Sequence, residues 1–302
     1  MRGNKFLISV ICFIAVMVTA SFASAEEPKG RHFRIFAANQ FSIRSNPTGF
    51  GNSTDFNMRY YYSNSDSILW KNNHIGFGPH VHISPATGGG GVFLEIEPIA
   101  AFNLRLEYNY VRYFGWATAL ISFPDKDSDY SDSVLERFQI PNDDAVSANG
   151  HSFKIKPTFQ MQVSRFVLLN MTSLEWWKID DIEGYFYEPT NDTLMKVDDY
   201  FFSNQTLAGV EVWKRSDVRR VIAGTRYSFF RVDSTKRERH QLDAVMVWMM
   251  GEKLWLLRTW ETNFTNPLIM LAAGGYLEDR YREKELFAGL IFQCDYDLWR
   301  SK

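Results

Sequence analysis

Residues 152–163 read Ser-Phe-Lys-Ile-Lys-Pro-Thr-Phe-Gln-Met-Gln-Val, with Phe153, Ile155, Pro157, Phe159, Met161 and Val163 on odd numbers and a polar residue on every even one. A period of two is the signature of a strand, because successive Cβ atoms of a pleated chain point to opposite faces. The stretch is also about twice as long as a typical strand of a soluble sheet. It reads as one long strand with an apolar face and a polar face.

The pattern recurs along the chain. Phe102, Leu104, Leu106, Tyr108 and Tyr110 alternate with Asn103, Arg105, Glu107 and Asn109. Ile75, Phe77, Pro79, Val81 and Ile83 alternate with Gly76, Gly78, His80, His82 and Ser84, and after a Gly-rich segment Val92, Leu94 and Ile96 alternate with Phe93, Glu95 and Glu97. The last run is Leu286, Ala288, Leu290, Phe292, Cys294, Tyr296 and Leu298. Extended to its limits, the reading predicts strands at 31–43, 54–62, 74–84, 91–97, 102–113, 149–163, 166–177, 200–212, 219–232, 241–250, 254–263, 268–277 and 285–299. Apolar spacing of helical type is almost absent.

Composition narrows the classes that remain. Of 302 residues, 45% are apolar, with Phe 25, Tyr 14 and Trp 9, and the formal net charge is -2. That is too apolar for a disordered chain and too nearly neutral for an electrostatic nucleic-acid binder, so no nucleic-acid partner is expected. Outside the first 25 residues no run approaches the ~18–20 apolar residues of a membrane-spanning helix. The apolar content is dispersed at every second position instead.

Residues 1–25 carry Arg2 and Lys5, an apolar core from Phe6 to Val18, and small residues ending Ala23-Ser24-Ala25. This is the layout of a cleavable secretory signal, which leaves 26–302 as a single domain outside the cytoplasm. Cys12 lies in the signal core, so Cys294 is the one cysteine of the exported part and no internal disulfide is available to it.

The connections alternate in length. Short ones are Pro98 to Ala101, Ser164-Arg165, Lys214 to Val218 and Gly251 to Lys253; long ones fall near 124–148 and 178–199. A closed antiparallel barrel requires an even number of strands in the bacterial single-chain case, so the thirteen predicted stretches include one error. The interruption Asn46-Pro47-Thr48-Gly49 and the long connection 277–284 mark the weakest places, and the expectation is twelve strands within a range of ten to fourteen. Twelve strands enclose a lumen too wide to pack dry, which turns the polar face inward and the apolar face to lipid. Candidates for aromatic girdles at the two interfaces are Tyr60, Tyr62, Tyr108, Tyr110, Trp176, Trp213, Trp248, Trp255, Trp260, Tyr276, Tyr296 and Trp299.

By signal, alternation, loop asymmetry and aromatic strand ends together, residues 31–299 resemble the Gram-negative outer-membrane β-barrel class. The resemblance implies an all-β, up-and-down transmembrane barrel in the cell outer membrane. Its partners would be outer-membrane lipids and the barrel-assembly machinery. Members of the class usually finish on an aromatic residue, whereas here Trp299 is followed by Arg300-Ser301-Lys302.

Several side-chain groups carry candidate chemistry. If Ser84 pairs with Gly91 around the Gly-rich turn, His80 faces Glu95 and Gly78 faces Glu97, with His82 on the same inward wall. Two imidazoles and two carboxylates would suit a divalent metal, an acid–base pair, or a polar lumen wall of paired charges. The tight turn Ser164-Arg165 sets Lys154 opposite Glu175 and Lys156 opposite Ser173, near Arg105 and Glu107. The expected selectivity residues are therefore His80, His82, Glu95, Glu97, Arg105, Glu107, Lys154 and Lys156. The acidic loop Asp125, Asp127, Asp129, Asp132 resembles calcium-ligand spacing but lacks the glycine and terminal glutamate of an EF-hand loop, so a divalent cation there is the one cofactor to consider. No nucleophile elbow or zincin pattern occurs. The leading expectation is a narrow channel or binding protein for small polar solutes. The alternatives are a lipid-modifying hydrolase using His80, Ser84 and Glu95, and a closed barrel serving as a surface scaffold or adhesin.

Overall fold

The structure is a computed structural model that describes residues 32–46, 48–63, 73–115, 120–139, 146–180, 182–216, 219–251, 264–279, 281 and 285–300. The expected signal segment 1–25, the predicted strand 254–263, Trp255 and Trp260 lie outside the described residues. In chain order the elements are β1 (His32–Arg44), β2 (Gly49–Tyr61), β3 (His74–Ile83), β4 (Thr87–Ile99), β5 (Phe102–Tyr113), β6 (Ser122–Phe123), α1 (Asp132–Gln139), β7 (Asn149–Val163), β8 (Phe166–Ile179), β9 (Tyr185–Glu188), β10 (Thr193–Lys196), β11 (Asp198–Ser216), β12 (Arg219–Val232), β13 (Glu238–Met250), β14 (Phe264–Glu278) and β15 (Leu286–Arg300).

Twelve of these strands form a closed antiparallel barrel, in the order β1-β15-β14-β13-β12-β11-β8-β7-β5-β4-β3-β2, while β6, β9 and β10 make a separate small sheet. Closure is made by the first and last strands, with Ala37 opposite Tyr296 and Arg44 opposite Gly289. Every predicted stretch within the described residues corresponds to one barrel strand. The connection 279–285 falls on the long-loop rim together with 114–148 and 180–197.

Barrel strands run from 10 to 19 residues. At ~3.3 Å per residue and ~40° tilt, even the shortest covers about 25 Å of height, the thickness of the apolar band of an outer-membrane barrel. The alternation sorts residues as the sequence implies. Phe77, Val92, Phe166 and Leu174 stand exposed on the outer surface, whereas Glu107, Asn109, Asp243 and Ser152 on the intervening positions are buried inside. Tyr108, Tyr110, Tyr200 and Tyr227 are exposed outside near the long-loop rim and Trp213 and Trp299 near the other. Tyr276 departs from the expected girdle: it points inward, is buried, and its hydroxyl donates to Asn46 O at 2.6 Å.

A ring of twelve strands at ~4.8 Å spacing and ~40° tilt has a backbone diameter of about 24 Å. Its mouth must be filled or left open, and here the two long loops fill it. The β10-β9-β6 sheet lies across the barrel with two apolar faces. Phe186, Met195 and Leu120 pack down onto the inward residues Val111, Tyr113, Trp177, Ile179, Phe201 and Val232. Tyr187, Leu194, Ile121 and Phe123 pack outward against Tyr130 and against Leu135 of α1. Alternate residues of the β9–β10 hairpin thus serve opposite layers, and the loops form a cap with a dry core rather than a solvated rim.

Candidate functional site: the lumen wall beneath the cap

The Gly-rich hairpin has a different register from the expected one. Ser84, Pro85, Ala86 and Thr87 form the turn, closed by Ser84 N donating to Thr87 O at 2.7 Å and Thr87 N to Ser84 Oγ at 3.0 Å. Serine first and proline second are what a tight four-residue turn favours. The four glycines are therefore strand, not turn: His80 faces Gly91, His82 faces Gly89, Gly76 faces Glu95 and His74 faces Glu97. The pairing of His80 with Glu95 and of Gly78 with Glu97 is replaced. Glycine is needed here because a Cβ on Gly91 would lie 1.8 Å from Tyr108 O, and one on Gly89 would meet both Tyr110 O and the His82 ring. The missing side chain of Gly89 leaves the space that the His82 imidazole occupies.

With that register, an ion-pair network covers the wall from β2 to β8. Asp55 of β2 accepts from His80 Nδ1 and from Arg105 Nη1, each at 2.6 Å. Arg105 Nε donates to Glu107 Oε1 at 2.5 Å, and Lys156 Nζ donates to Glu107 Oε2 at 2.7 Å. Nearer the short-turn rim, Glu95 bonds His74 Nε2 at 2.7 Å and Arg59 Nη2 at 2.8 Å, with Arg105 3.8 Å away. Lys154 stands opposite Glu175 across β7 and β8 and pairs with it at 2.9 Å, the register set by the tight turn at 164–165. The opposite wall carries Arg34 between Asp295 and Asp297, and Arg226 on Asp243. Buried charges are tolerable only when paired, and on this wall each of these basic side chains has a carboxylate partner.

Beneath the cap the network opens on a cavity of about 240 Å³. Its titratable lining is His80, His82, Glu107, Lys154 and Lys156; hydroxyls and amides, among them Gln40, Ser42, Ser53, Asn109, Ser152 and Thr190, share it, with Trp177 at the upper edge. Of the expected selectivity residues, these five meet in the cavity. Glu95 and Arg105 lie lower in the same network, and Glu97, facing His74, lies lower still.

The proposed hydrolase group is not assembled. Ser84 Oγ bonds Thr87, His80 bonds Asp55, and Glu95 bonds His74 and Arg59, so none of the three bonds either of the others. In the acidic loop, Asp125 Oδ1 and Asp129 Oδ1 accept the backbone N–H groups of Asp127 and Ser131, as turn-forming aspartates do. Among the described residues no group of three or more His, Cys, Asp or Glu is placed to hold a metal ion.

Asp55, Arg59 and His74 complete the network but are not among the expected site residues, and for the first two β2 shows why. Its outward face, Phe50, Asn52, Thr54, Phe56 and Met58, is itself partly polar, so the alternation is lost there. Those polar groups are satisfied sideways: Asn39 Nδ2 donates to Thr54 Oγ1 at 2.8 Å and to Asn52 Oδ1 at 3.2 Å. A more complete ring stands on the opposite wall, where Asn170 and Thr172 of β8 face Thr206 and Asn204 of β11. Asn170 Nδ2 donates to Thr206 Oγ1 and Asn204 Oδ1, Asn204 Nδ2 to Thr172 Oγ1 and Asn170 Oδ1, and each threonine to the asparagine two residues away on its own strand. All six donors are used. This closed ring lets amides stand on a lipid-facing surface.

A closed antiparallel barrel, apolar outside and charge-paired within, has the architecture of an outer-membrane β-barrel. Solved structures of similar fold belong to that class. They include the β domain of the Bordetella autotransporter BrkA (10% identity, 89% of this chain and 99% of that one, TM-score 0.40). The KdgM porin (7% identity, 87% and 99%, TM-score 0.37) and an outer membrane channel from Pseudomonas putida F1 (8% identity, 90% and 97%, TM-score 0.36) are two more. No protein-family profile and no curated protein matches the chain.

Proposed function

We propose that this chain is a solute-binding channel of the outer membrane, exported by a signal cleaved near residue 25, with the capped rim facing outward and lipids and the assembly machinery as its partners. The observation that carries the reading is the cavity of about 240 Å³ under the cap, lined by His80, His82, Glu107, Lys154, Lys156 and a set of hydroxyls and amides. A barrel that only anchors needs no such chamber, whereas a polar solute in transit needs donors and acceptors that replace its water. The cap makes the described state a closed or nearly closed one. Planar-bilayer recording of the purified, folded protein tests the reading: discrete conductance steps that grow when the cap is loosened are expected, and silence in both states would remove it.

The dry core of the cap favours one other reading, a permanently closed barrel that displays its loops as a scaffold. The same recording separates the two.

A further inference from the structure

We propose that the cavity under the cap is selective for a small hydroxylated oxyanion, a sugar acid or a phosphorylated polyol, over neutral solutes and cations. This rests on reading the barrel as a solute-binding channel and names its solute class. In the ion pairs of this wall Arg59, Arg105, Lys154 and Lys156 meet Asp55, Glu95, Glu107 and Glu175, with Glu97 a fifth carboxylate lower down, so any bias toward anions lies in which groups face the cavity. Lys156 is 34% exposed and its partner Glu107 only 5%; Lys154 is 19% exposed and Glu175 14%. The cavity is faced by Lys154, Lys156, His80 and His82, with Glu107 the sole carboxylate among its lining residues. Both oxygens of Glu107 already accept, from Arg105 and Lys156, and those of Glu175 accept from Ser173 and Trp177 besides pairing with Lys154. An ammonium has three N–H donors, and each lysine's described pairing engages one.

An anion entering the cavity therefore meets unspent donors, whereas a cation meets no free carboxylate. The low-dielectric wall focuses this difference. Asn109 Oδ1 stands buried at the cavity edge with no partner and suits a solute hydroxyl, as do the hydroxyls of Ser42, Ser53, Ser152 and Thr190. The ligand that uses both sets of groups carries an acid on a hydroxylated frame.

The test uses the folded barrel in detergent, titrated calorimetrically with sodium gluconate, sorbitol and inorganic phosphate, and the same protein in bilayers under a potassium chloride gradient. Gluconate should bind at least about tenfold more tightly than sorbitol, the equivalent of one charge-assisted hydrogen bond; phosphate binding alone would assign the site to the phosphate-bearing member of the class. Lys156→Gln combined with Glu107→Gln removes the front charge without stranding its partner and should lose the gluconate preference, while Lys156→Arg keeps it. The reversal potential should show anion preference. Binding of gluconate without conductance would keep the anion site and remove the channel. Conductance with cation preference, or equal binding of gluconate and sorbitol, would remove the anion site and leave the channel.

Discussion

Replacing Arg239 by methionine removes the latch that holds the β9–β10 hairpin across the barrel mouth while keeping most of the side-chain volume. The guanidinium donates to Asp279 Oδ2 at 2.6 Å, to Asn191 O at 3.0 Å and to Asp192 O at 2.5 Å. Asp192 and Asp279 are 0% and 4% exposed, so the substitution leaves two carboxylates inside the protein without their cation. Breaking a buried pair in this way costs ~3–5 kcal/mol. The apolar underside remains, and Leu120, Phe186 and Met195, at ~1.5–3 kcal/mol each, keep the cap folded against the mouth part of the time. At ~1.4 kcal/mol per power of ten, the ratio of open to closed cap rises by about two to three and a half orders of magnitude. The strand ladder is untouched, so the barrel itself keeps its resistance to denaturation. Deuterium uptake reads the effect directly: amides of 185–196 should exchange much faster in the variant while those of β7 and β12 stay unchanged, and bilayer conductance should rise. Equal uptake at 185–196 in variant and wild type, or a uniform loss of protection over the whole barrel, would refute the latch.

Glu188 gives the cap a pH dependence of defined sign. Burial holds its carboxyl above the ordinary range, against the opposing effect of the Asn191 and Thr190 N–H groups it accepts and of nearby Arg44. The closed cap therefore binds a proton more readily than the open one, so closure is favoured at acid pH and weakens as pH rises through the window above the ordinary glutamate value. Conductance should fall on acidification across that window, and Glu188→Gln, a mimic of the protonated form, should stay low throughout; a variant that titrates like wild type would exclude Glu188 as the group responsible. In the lipid-facing ring, Asn170→Leu alone strands Asn204 and should cost about 1–3 kcal/mol in denaturant unfolding from lipid vesicles, whereas replacing all four members by apolar residues should be nearly neutral. A fourfold variant less stable than the single one would mean that the ring does more than satisfy itself. Glu107→Gln leaves Arg105 and Lys156 with a weakened shared acceptor and should destabilise the barrel by a few kcal/mol, with partial rescue by Lys156→Gln, measured by the same unfolding.

The alternation of residues such as 152–163 was sufficient to give the strand type and the tight turn that brings Lys154 to Glu175, because each depends on neighbours within one or two strands. It offered thirteen stretches, and twelve strands with the apolar face outward followed only from the even count and wide lumen of a closed barrel. Where the outward face was itself polar, as along β2, the period failed and Asp55 and Arg59 escaped notice, while His74, the first residue of β3, comes near Glu95 only in the actual register of the β3–β4 hairpin. The Gly-rich hairpin was misplaced by four residues because glycine is read as turn, while here it is the only residue that fits opposite two histidines. Only the tertiary structure decided the rest. That Lys156 turns to Glu107 rather than along its own hairpin, that its ammonium stands in front of the carboxylate, and that two loops far apart in sequence build a cap latched by Arg239 all depend on closure of the ring. Closure brings β1 and β13 within reach of a hairpin that leaves between β8 and β11, and no local pattern records contacts made at that sequence distance.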